Sequence, residues 1–350
     1  MFRFHFPLFL LVFACAGCGS PAEGPVVPVL QMQESGTDAL LIGLHAVSDR
    51  IVWAAGTGGS YAWTDDGGVT WHAGTVPGAD SLQFRDVHAM SLDTAWLLSI
   101  GSGEDSRIYR TVDRGASWEM LFRNEIDEAF FDCFDFREDG SAFAFSDAVD
   151  GRFPLLHTED GDVWRVLPPE TLPSAQPGEG GFAASGTCLI VLDDQTVLIG
   201  TGNAATPRVL RNEHRDSTWT SSDVPLPGGE AAGVTTLAFR DAQHGVVLGG
   251  DITAPGTIQQ NTAVTEDGGV SWRLASSPGF PGAVYGAAYV PGGILVAAGP
   301  GGAAFSRDDA QTWSPLDSLT WWSVDAAAPD AVWMVGPEGR IARISFRSAP

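Results

Sequence analysis

An eight-residue segment that ends in tryptophan recurs along the chain, and this repeat constrains the fold more than any other feature. TDDGGVTW at 64–71 returns as TVDRGASW at 111–118 and as TEDGGVSW at 265–272. Full, looser and degenerate copies end at Trp71, Trp118, Trp164, Trp219, Trp272 and Trp313. These tryptophans are 41 to 55 residues apart. That period is typical of a four-stranded propeller blade.

The residue types of the repeat predict a structural turn. The Asp carboxylate accepts hydrogen bonds from backbone N–H groups of its own turn, and a following Gly supplies positive φ. The Trp ring is large enough to fill the layer between two sheets. The structural positions predicted in this way are Asp66, Trp71, Asp113, Trp118, Asp160, Trp164, Asp267, Trp272, Asp308 and Trp313.

Seven apolar segments that end in small residues, from IVWAAG at 51–56 to VWMVG at 332–336, mark seven blades. We therefore predict an all-β fold, a seven-bladed β-propeller of four-stranded antiparallel blades. The predicted blades are 40–74, 82–124, 128–170, 181–226, 231–277, 282–317 and 319–347. No repeat follows the last apolar segment, so the strand at 26–33 is expected to complete the seventh blade. This N-terminal strand would close the ring and remove an open sheet edge.

The first residues predict export. Arg3 and His5 precede a short apolar run at 6–14, which is too short to span a bilayer and is typical of a signal peptide. The ending Ala16-Gly17-Cys18 resembles a bacterial lipoprotein signal, in which the cysteine is lipidated. Cleavage by the ordinary signal peptidase is the alternative. The predicted organisation is a signal peptide at 1–17, a lipid-anchored tether at 18–28 and one propeller at 29–350.

With Cys18 lipidated, the expected location is the bacterial cell envelope, lipid-anchored and facing the periplasm or the exterior. Cys15 belongs to the predicted signal peptide, so Cys133 and Cys188 remain of the four cysteines, and both are predicted on the innermost strands of adjacent blades three and four. An oxidising compartment permits a disulfide between them. Two buried free thiols are the alternative.

Charge and composition exclude several functions. The chain has 43 Asp and Glu against 19 cationic residues, all of them Arg, for a formal charge of -24. Such a surface repels phosphate backbones, so we expect no nucleic-acid partner. The absence of Lys excludes Schiff-base chemistry and a P-loop lysine. No dinucleotide fingerprint, haem motif, calcium loop or metal-ligand spacing occurs, so no cofactor and no metal is predicted.

The pattern S/T-x-D-x-G-x-x-W is the Asp-box, or bacterial neuraminidase repeat. Over its mature length the chain resembles the bacterial propellers related to the photosystem II stability/assembly factor. The segments that carry the resemblance are 84–88 (FRDVH), 143–153 (FAFSDAVDGRF), 182–187 (FAASGT), 199–202 (IGTG) and 237–251. The resemblance implies a non-catalytic, protein-binding scaffold or assembly factor. We expect a monomer whose partner is another envelope or membrane protein and which contacts the membrane through its lipid anchor only.

Several polar residues are predicted on inner strands or on the loops that follow second strands, close to the channel mouth. They are Arg85, His88, Asp132, Asp147, Asp150, Arg152, Ser185, Asp251 and Tyr285. Together they suggest a site for a polar ligand or a partner's tail. Alternatively, Ser146-Asp147 and Gly250-Asp251 cap their own loops.

The enzymatic alternative is an exo-acting glycoside hydrolase, because sialidases share the repeat. It would use Asp147, Asp150 and Asp251 as acid and base. A sialidase also needs three Arg around the substrate carboxylate and a Tyr nucleophile with a partner Glu. The Arg-Ile-Pro signature of those enzymes is missing, and its nearest approximation is GRFP at 151–154. We therefore predict no catalytic residues.

Overall fold

The computed structural model describes residues 26–193, 195–213 and 218–348. Within these residues 28 strands form seven four-stranded antiparallel sheets. Each sheet is one blade of a ring, so the predicted seven-bladed β-propeller is confirmed. Outside the strands, the described part of the chain has one regular element, a 3-10 turn at Gly103–Asp105. None of the described residues forms a helix long and apolar enough to cross a membrane.

The first four blades run consecutively along the chain, each from its innermost to its outermost strand. Blade 1 contains β2 (Leu41–Ala46), β3 (Val52–Gly56), β4 (Ser60–Thr64) and β5 (His72–Thr75). Blade 2 contains β6 (Gln83–Ala89), β7 (Ala95–Ile100), β8 (Arg107–Thr111) and β9 (Glu119–Arg123). Blade 3 contains β10 (Phe131–Phe136), β11 (Ala142–Ser146), β12 (Leu155–Thr158) and β13 (Arg165–Val166). Blade 4 contains β14 (Leu189–Val191), β15 (Val197–Gly200), β16 (Arg208–Asn212) and β17 (Trp219–Asp223).

The last three blades include the one that joins the two ends of the chain. Blade 5 contains β18 (Ala232–Phe239), β19 (Gly245–Asp251), β20 (Thr262–Thr265) and β21 (Arg273–Leu274). Blade 6 contains β22 (Gly286–Val290), β23 (Ile294–Gly299), β24 (Gly302–Ser306) and β25 (Ser314–Asp317). Blade 7 contains β26 (Ser323–Ala328), β27 (Ala331–Val335), β28 (Arg340–Ser348) and, outermost, β1 (Val26–Glu34).

The N-terminal strand closes the ring, as the sequence predicts. β1 pairs with β28 over nine residues, from Val26 opposite Ser348 to Glu34 opposite Arg340. Because β1 begins at Val26, its first three residues belong to the segment 18–28 that was expected to be a tether. The signal peptide, Cys18 and the rest of that tether lie outside the described residues.

The apolar core is divided among the interfaces between blades. Seven clusters of buried side chains each join two neighbouring blades, and one of them contains both Trp71 of blade 1 and Trp333 of blade 7. Second strands such as β3, β11 and β27 are buried along their whole length. Both faces of these strands meet a neighbouring blade, which explains why they are continuous apolar runs rather than alternating ones.

The strand order defines two faces of the ring. The first and second strands of a blade are antiparallel, so the start of the first and the end of the second lie at one end of the channel. We call this end the mouth. The turns of the tryptophan repeat connect third and fourth strands and therefore lie on the opposite face.

Candidate functional site

Polar side chains on the innermost strands connect neighbouring blades at five of the seven junctions. They accept hydrogen bonds from backbone N–H groups of the following blade. The pairs are His45 with Ala89, Asp86 with Phe134, Asp135 with Val191, Thr236 with Ala287 and Asp325 with Ala46, at donor–acceptor distances of 2.7 to 3.3 Å. These residues form what we call the inner polar ring. Its hydrogen bonds satisfy buried N–H groups, so its role is structural.

His88, one of the predicted site residues, lies beside the inner polar ring. Its Nδ1 lies 3.0 Å from Asp135 Oδ1, and its ring stacks on Phe136 with centroids 4.6 Å apart. The neighbouring His45 ring meets it edge-on at 4.3 Å. Burial, and then the nearby His88, hold the pKa of His45 well below its usual value. A neutral His45 accepts the Ala89 N–H, which accounts for its place in the ring.

A buried loop segment crosses the channel between this ring and the mouth. Residues 182–187, here called the plug segment, precede β14 and lie in no strand. The carbonyl of Ala183 accepts a hydrogen bond from Arg85 of blade 2, at 3.0 Å. Ser185 Oγ donates to the carbonyl of Tyr285 near blade 6, at 2.7 Å. The plug segment therefore connects blades on opposite sides of the axis, and a cavity of 220 Å³ lined by His45, His88 and Asp325 lies beside it.

Glycine is required where the plug segment passes the inner polar ring. Gly186 has φ +83°, and a Cβ atom on it would lie 2.2 Å from Asp86 Oδ1. Asp86 in turn accepts the Phe134 N–H. Burial raises the pKa of Asp86 well above its usual value, because the carboxyl is removed from water. Both the backbone conformation and the close approach exclude a side chain at Gly186.

Four predicted residues come together at the mouth: Arg85, Asp132, Asp147 and Tyr285. With Trp322 we call them the mouth cluster. Arg85 Nη1 donates to Ala183 O, and its Nη2 donates to Gln83 Oε1 at 3.1 Å, while its buried Nε has no hydrogen-bond partner. Burial lowers the pKa of Arg85, and the Tyr285 phenol and the Asp132 carboxyl raise it. Because both groups shift the pKa of Arg85, the Tyr285 phenol and the Asp132 carboxyl lie near its guanidinium.

Asp132 and Asp147 form a buried carboxyl pair. Burial, followed by the Asp147 charge, raises the pKa of Asp132 well above its usual value. Burial also raises the pKa of Asp147 to about 6, although its Oδ1 accepts the Gly181 N–H at 2.9 Å. Asp132 is 2% exposed, and its Oδ2 accepts no hydrogen bond from an N–H or hydroxyl donor. The two carboxyls are hydrogen-bonded to each other, so they hold a proton between them in mildly acidic solution.

Two glycines allow the backbone to approach this pair. A Cβ atom on Gly180 would lie 1.7 Å from Asp147 Oδ1, and one on Gly181 would lie 2.9 Å from Asp132 Oδ2. The preceding residue, Glu179, is buried and accepts two hydrogen bonds from Arg208, at 2.9 and 2.5 Å. This buried ion pair holds the loop that covers the carboxyls. Sequence reasoning missed Glu179 and Arg208, and the EGG run at 179–181 was the available signal.

The aromatic side of the mouth is formed by Tyr285 and Trp322. Their rings meet edge to face with centroids 5.2 Å apart. Both side chains are half-buried, and the Trp322 indole N–H has no hydrogen-bond partner. Ser185, a predicted site residue, contacts this group through its hydrogen bond to the Tyr285 carbonyl. Trp322 was not predicted, because nothing in its neighbourhood resembles the repeat.

Three predicted rim residues have local roles. Asp150 has φ +51° and lies at the tip of a turn in which Val149 and Arg152 exchange backbone hydrogen bonds of 2.8 and 3.0 Å. Arg152 is exposed on the same loop. Asp251 Oδ1 accepts hydrogen bonds from the N–H and hydroxyl of Thr253, at 2.8 and 2.6 Å, so it caps its own loop. Asp147 differs because its carboxylate reaches the loop that leads to the next blade.

The repeat turns have the predicted local chemistry. In the first, Asp66 Oδ1 accepts the Thr70 N–H at 2.9 Å, and Thr64 Oγ1 accepts the Gly68 N–H at 2.9 Å. Asp113, Asp267 and Asp308 make the same contacts to the residue four places later, at 2.8 to 2.9 Å. In the shorter copy Asp160 bonds to the N–H groups of Asp162 and Val163. These hydrogen bonds stabilise the turns.

The tryptophans of the repeat pack between blades. Trp118 of blade 2 meets Trp53 and Tyr61 of blade 1 at centroid distances of 6.3 and 5.1 Å. Trp164 belongs to the cluster between blades 2 and 3. Trp219, which ends the degenerate copy, contacts Phe143 of blade 3 at 6.0 Å. The indole N–H groups of Trp71, Trp272 and Trp313 donate to Gln33, Ser222 and Ser276 respectively.

A disulfide lies directly behind the mouth cluster. Cys133 and Cys188 are bonded, with their Cα atoms 5.9 Å apart, and they join blade 3 to the segment before β14. Cys133 follows Asp132 in β10, and Cys188 follows the plug segment. The cross-link therefore fixes one carboxyl of the pair relative to the plug.

Comparisons with known proteins establish the architecture. No protein-family model matches the chain, and no curated protein matches it by sequence. Among solved structures, it is similar to YCF48 bound to a D1 peptide, with 16% identity and a TM-score of 0.63 over 91% of this chain and 96% of that one. YCF48 from Cyanidioschyzon merolae gives 15% identity and a TM-score of 0.62 over 90% and 98%. The WD40 β-propeller domain of Doa1 gives 14% and 0.59 over 91% and 97%. At these identities the likeness shows a shared propeller fold.

Proposed function

We propose that this chain is a non-catalytic, protein-binding propeller that acts as an assembly or stability factor and binds its partner at the mouth. The observation that carries the proposal is the mouth cluster. Buried charged groups with unpartnered polar atoms, such as Asp132 Oδ2 and Arg85 Nε, lie at an opening of a rigid ring. Unsatisfied buried polar atoms mark places where a ligand atom can bind. A structurally similar propeller, YCF48, has been solved with a D1 peptide.

We also propose that the protein acts at a membrane of the bacterial envelope. Cys18 would carry the lipid anchor, and the residues after it would hold the ring close to a membrane of the bacterial envelope. The turns would be Asp-boxes with a structural role, and the protein would act as a monomer. An exported location is supported by the disulfide between Cys133 and Cys188, because oxidising compartments preserve such bonds. The partner would be an envelope or membrane protein with a segment that reaches the mouth.

The test is affinity purification from crosslinked, gently solubilised membranes. The mouth variant is Trp322→Ala, and its control, Trp313→Ala, removes an equally half-buried tryptophan from a repeat turn on the opposite face. We expect one dominant envelope protein with the wild type and the control, and its loss with the mouth variant. Thermal melting establishes that each variant is folded. Equal recovery of the same partner by both variants would contradict binding at the mouth, and the absence of a reproducible partner would contradict the scaffold function.

A glycoside hydrolase is the second candidate, and the carboxyl pair is the observation that favours it. A carboxyl whose pKa is raised to about 6, as that of Asp147 is, has the property of a general acid. Asp150 and Asp251 are engaged in turns, so the acid and base would have to be Asp147 and Asp132. Hydrolysis of a panel of aryl glycosides by the wild type, lost in Asp147→Asn, would replace the scaffold proposal.

A further inference from the structure

We infer that the mouth cluster binds a positively charged side chain, a guanidinium or an ammonium, that a partner protein inserts between the carboxyl pair and the aromatic pair. The inference rests on the proposed function and adds the chemistry of recognition. The carboxyl pair is Asp132 and Asp147, and the aromatic pair is Tyr285 and Trp322.

The charges of the site call for a cation. The carboxyl pair has one guanidinium beside it, that of Arg85 near Asp132, and Arg85 already donates one N–H of each terminal nitrogen to Ala183 and Gln83. Asp132 Oδ2 is buried and has no donor other than the proton that Asp132 and Asp147 share. A donor that carries its own positive charge would satisfy this oxygen and stabilise both carboxyls in their ionised form.

The aromatic pair fits the same ligand. Tyr285 and Trp322 stand edge to face and remain half-exposed, so part of each ring surface is open to a ligand. Cations bind to the faces of Trp and Tyr rings, and the attraction grows when the site is shielded from water. The formal charge of -24 also raises the local concentration of cationic segments around the whole protein.

An anionic ligand fits less well. A carboxylate binds Arg most strongly through two parallel N–H donors, and Arg85 already uses one N–H of each terminal nitrogen for Ala183 and Gln83. The same carboxylate would approach Asp132 and Asp147, which repel it. The arrangement therefore favours an arginine or lysine side chain over a carboxyl terminus.

The experiment compares four peptides of the form acetyl-Gly-Gly-X-Gly-Gly-amide, where X is arginine, lysine, citrulline or glutamate. Citrulline has the shape of arginine without its charge. Binding to the wild-type protein is followed by isothermal titration calorimetry in low salt. We expect the arginine and lysine peptides to bind at least about tenfold more tightly than the citrulline peptide. This comparison needs no variant, so a folding defect cannot produce it.

Variants locate the binding. Asp132→Asn combined with Asp147→Asn should weaken binding of the arginine peptide about tenfold or more. The matched control combines Asp251→Asn with Asp150→Asn, which makes the same two substitutions in neighbouring mouth loops and should leave binding nearly unchanged. Equal affinity for arginine and citrulline, absence of binding by the arginine peptide, or equal loss in both double variants would overturn the inference. Preference for the glutamate peptide would show an anion site instead.

The two proposals fail in different ways. If the membrane partner is lost only when the mouth is altered, yet the peptides show no preference for a cation, the scaffold function stands and the cation site is refuted. If the arginine peptide binds and no membrane partner is recovered, the cation site stands and the scaffold function is refuted.

Discussion

The disulfide between Cys133 and Cys188 should account for a large part of the stability of the ring. The two residues are separated by 55 positions, so the cross-link closes a long loop in the unfolded chain. The chain-entropy model gives a stabilisation of about 4 kcal/mol for a loop of this length. That is a large fraction of the 5–15 kcal/mol that stabilises a typical folded protein.

The assay is urea unfolding of the wild type with and without a reductant, followed by Trp fluorescence and by circular dichroism. Coincident transitions allow a single free energy of unfolding to be assigned. We expect reduction to lower that free energy by about 3–4 kcal/mol and to raise the m value, because the reduced unfolded chain exposes more surface. The control is Cys133→Ala combined with Cys188→Ala, which should be insensitive to the reductant. A reduction effect below about 1 kcal/mol would refute the reasoning.

Three further predictions follow from the channel and the closing strand. Burial raises the pKa of Asp147 to about 6, so the protonated carboxyl stabilises the fold, and the wild type should lose stability as the pH rises from about 4 to 6. In thermal melts across this range, the loss should be about 1–3 kcal/mol smaller in Asp147→Asn. Gly186→Ala should destabilise the ring by about 1–3 kcal/mol in urea, whereas Gly151→Ala, also at positive φ but in open space, should cost less. Deletion of 26–34 should expose the β28 edge and produce oligomers in size-exclusion chromatography, while a persistent monomer with an unchanged melting temperature would contradict closure by β1.

Local rules were sufficient where the fold is repetitive. The spacing of the tryptophans, the Asp–Gly turns and the apolar second strands are short-range patterns, and each predicts the same four-stranded unit. The missing seventh repeat and the apolar strand at 26–33 were enough to predict ring closure. The hydrogen bonds of Asp66 and Asp267 match those expected from the sequence because both partners lie within one turn.

The rules failed where a side chain's partner comes from another blade. The sequence leads to the same prediction for Asp147 and Asp251, because each comes after a predicted second strand and a small residue. In the structure Asp251 bonds to Thr253 two residues away, whereas Asp147 bonds to Gly181, which is 34 residues away. The plug segment 182–187 was noticed only as part of a family resemblance, and nothing in its composition predicts that it crosses the channel.

By itself the sequence determined the blade, the number of blades and the strand that closes them, because these depend on periodicity and turn chemistry. Only the tertiary structure decided which polar residues form the mouth cluster. Arg85, Asp132 and Tyr285 come from blades 2, 3 and 6, and they meet because a closed ring brings one strand of every blade to a common axis. The backbone of the neighbouring blade donates a hydrogen bond to some of these side chains, as it does to Asp86, whereas Asp132 Oδ2 stays buried without an N–H donor. Which side chains receive such a hydrogen bond depends on how each inner strand is aligned with the next, and no short sequence pattern records that alignment.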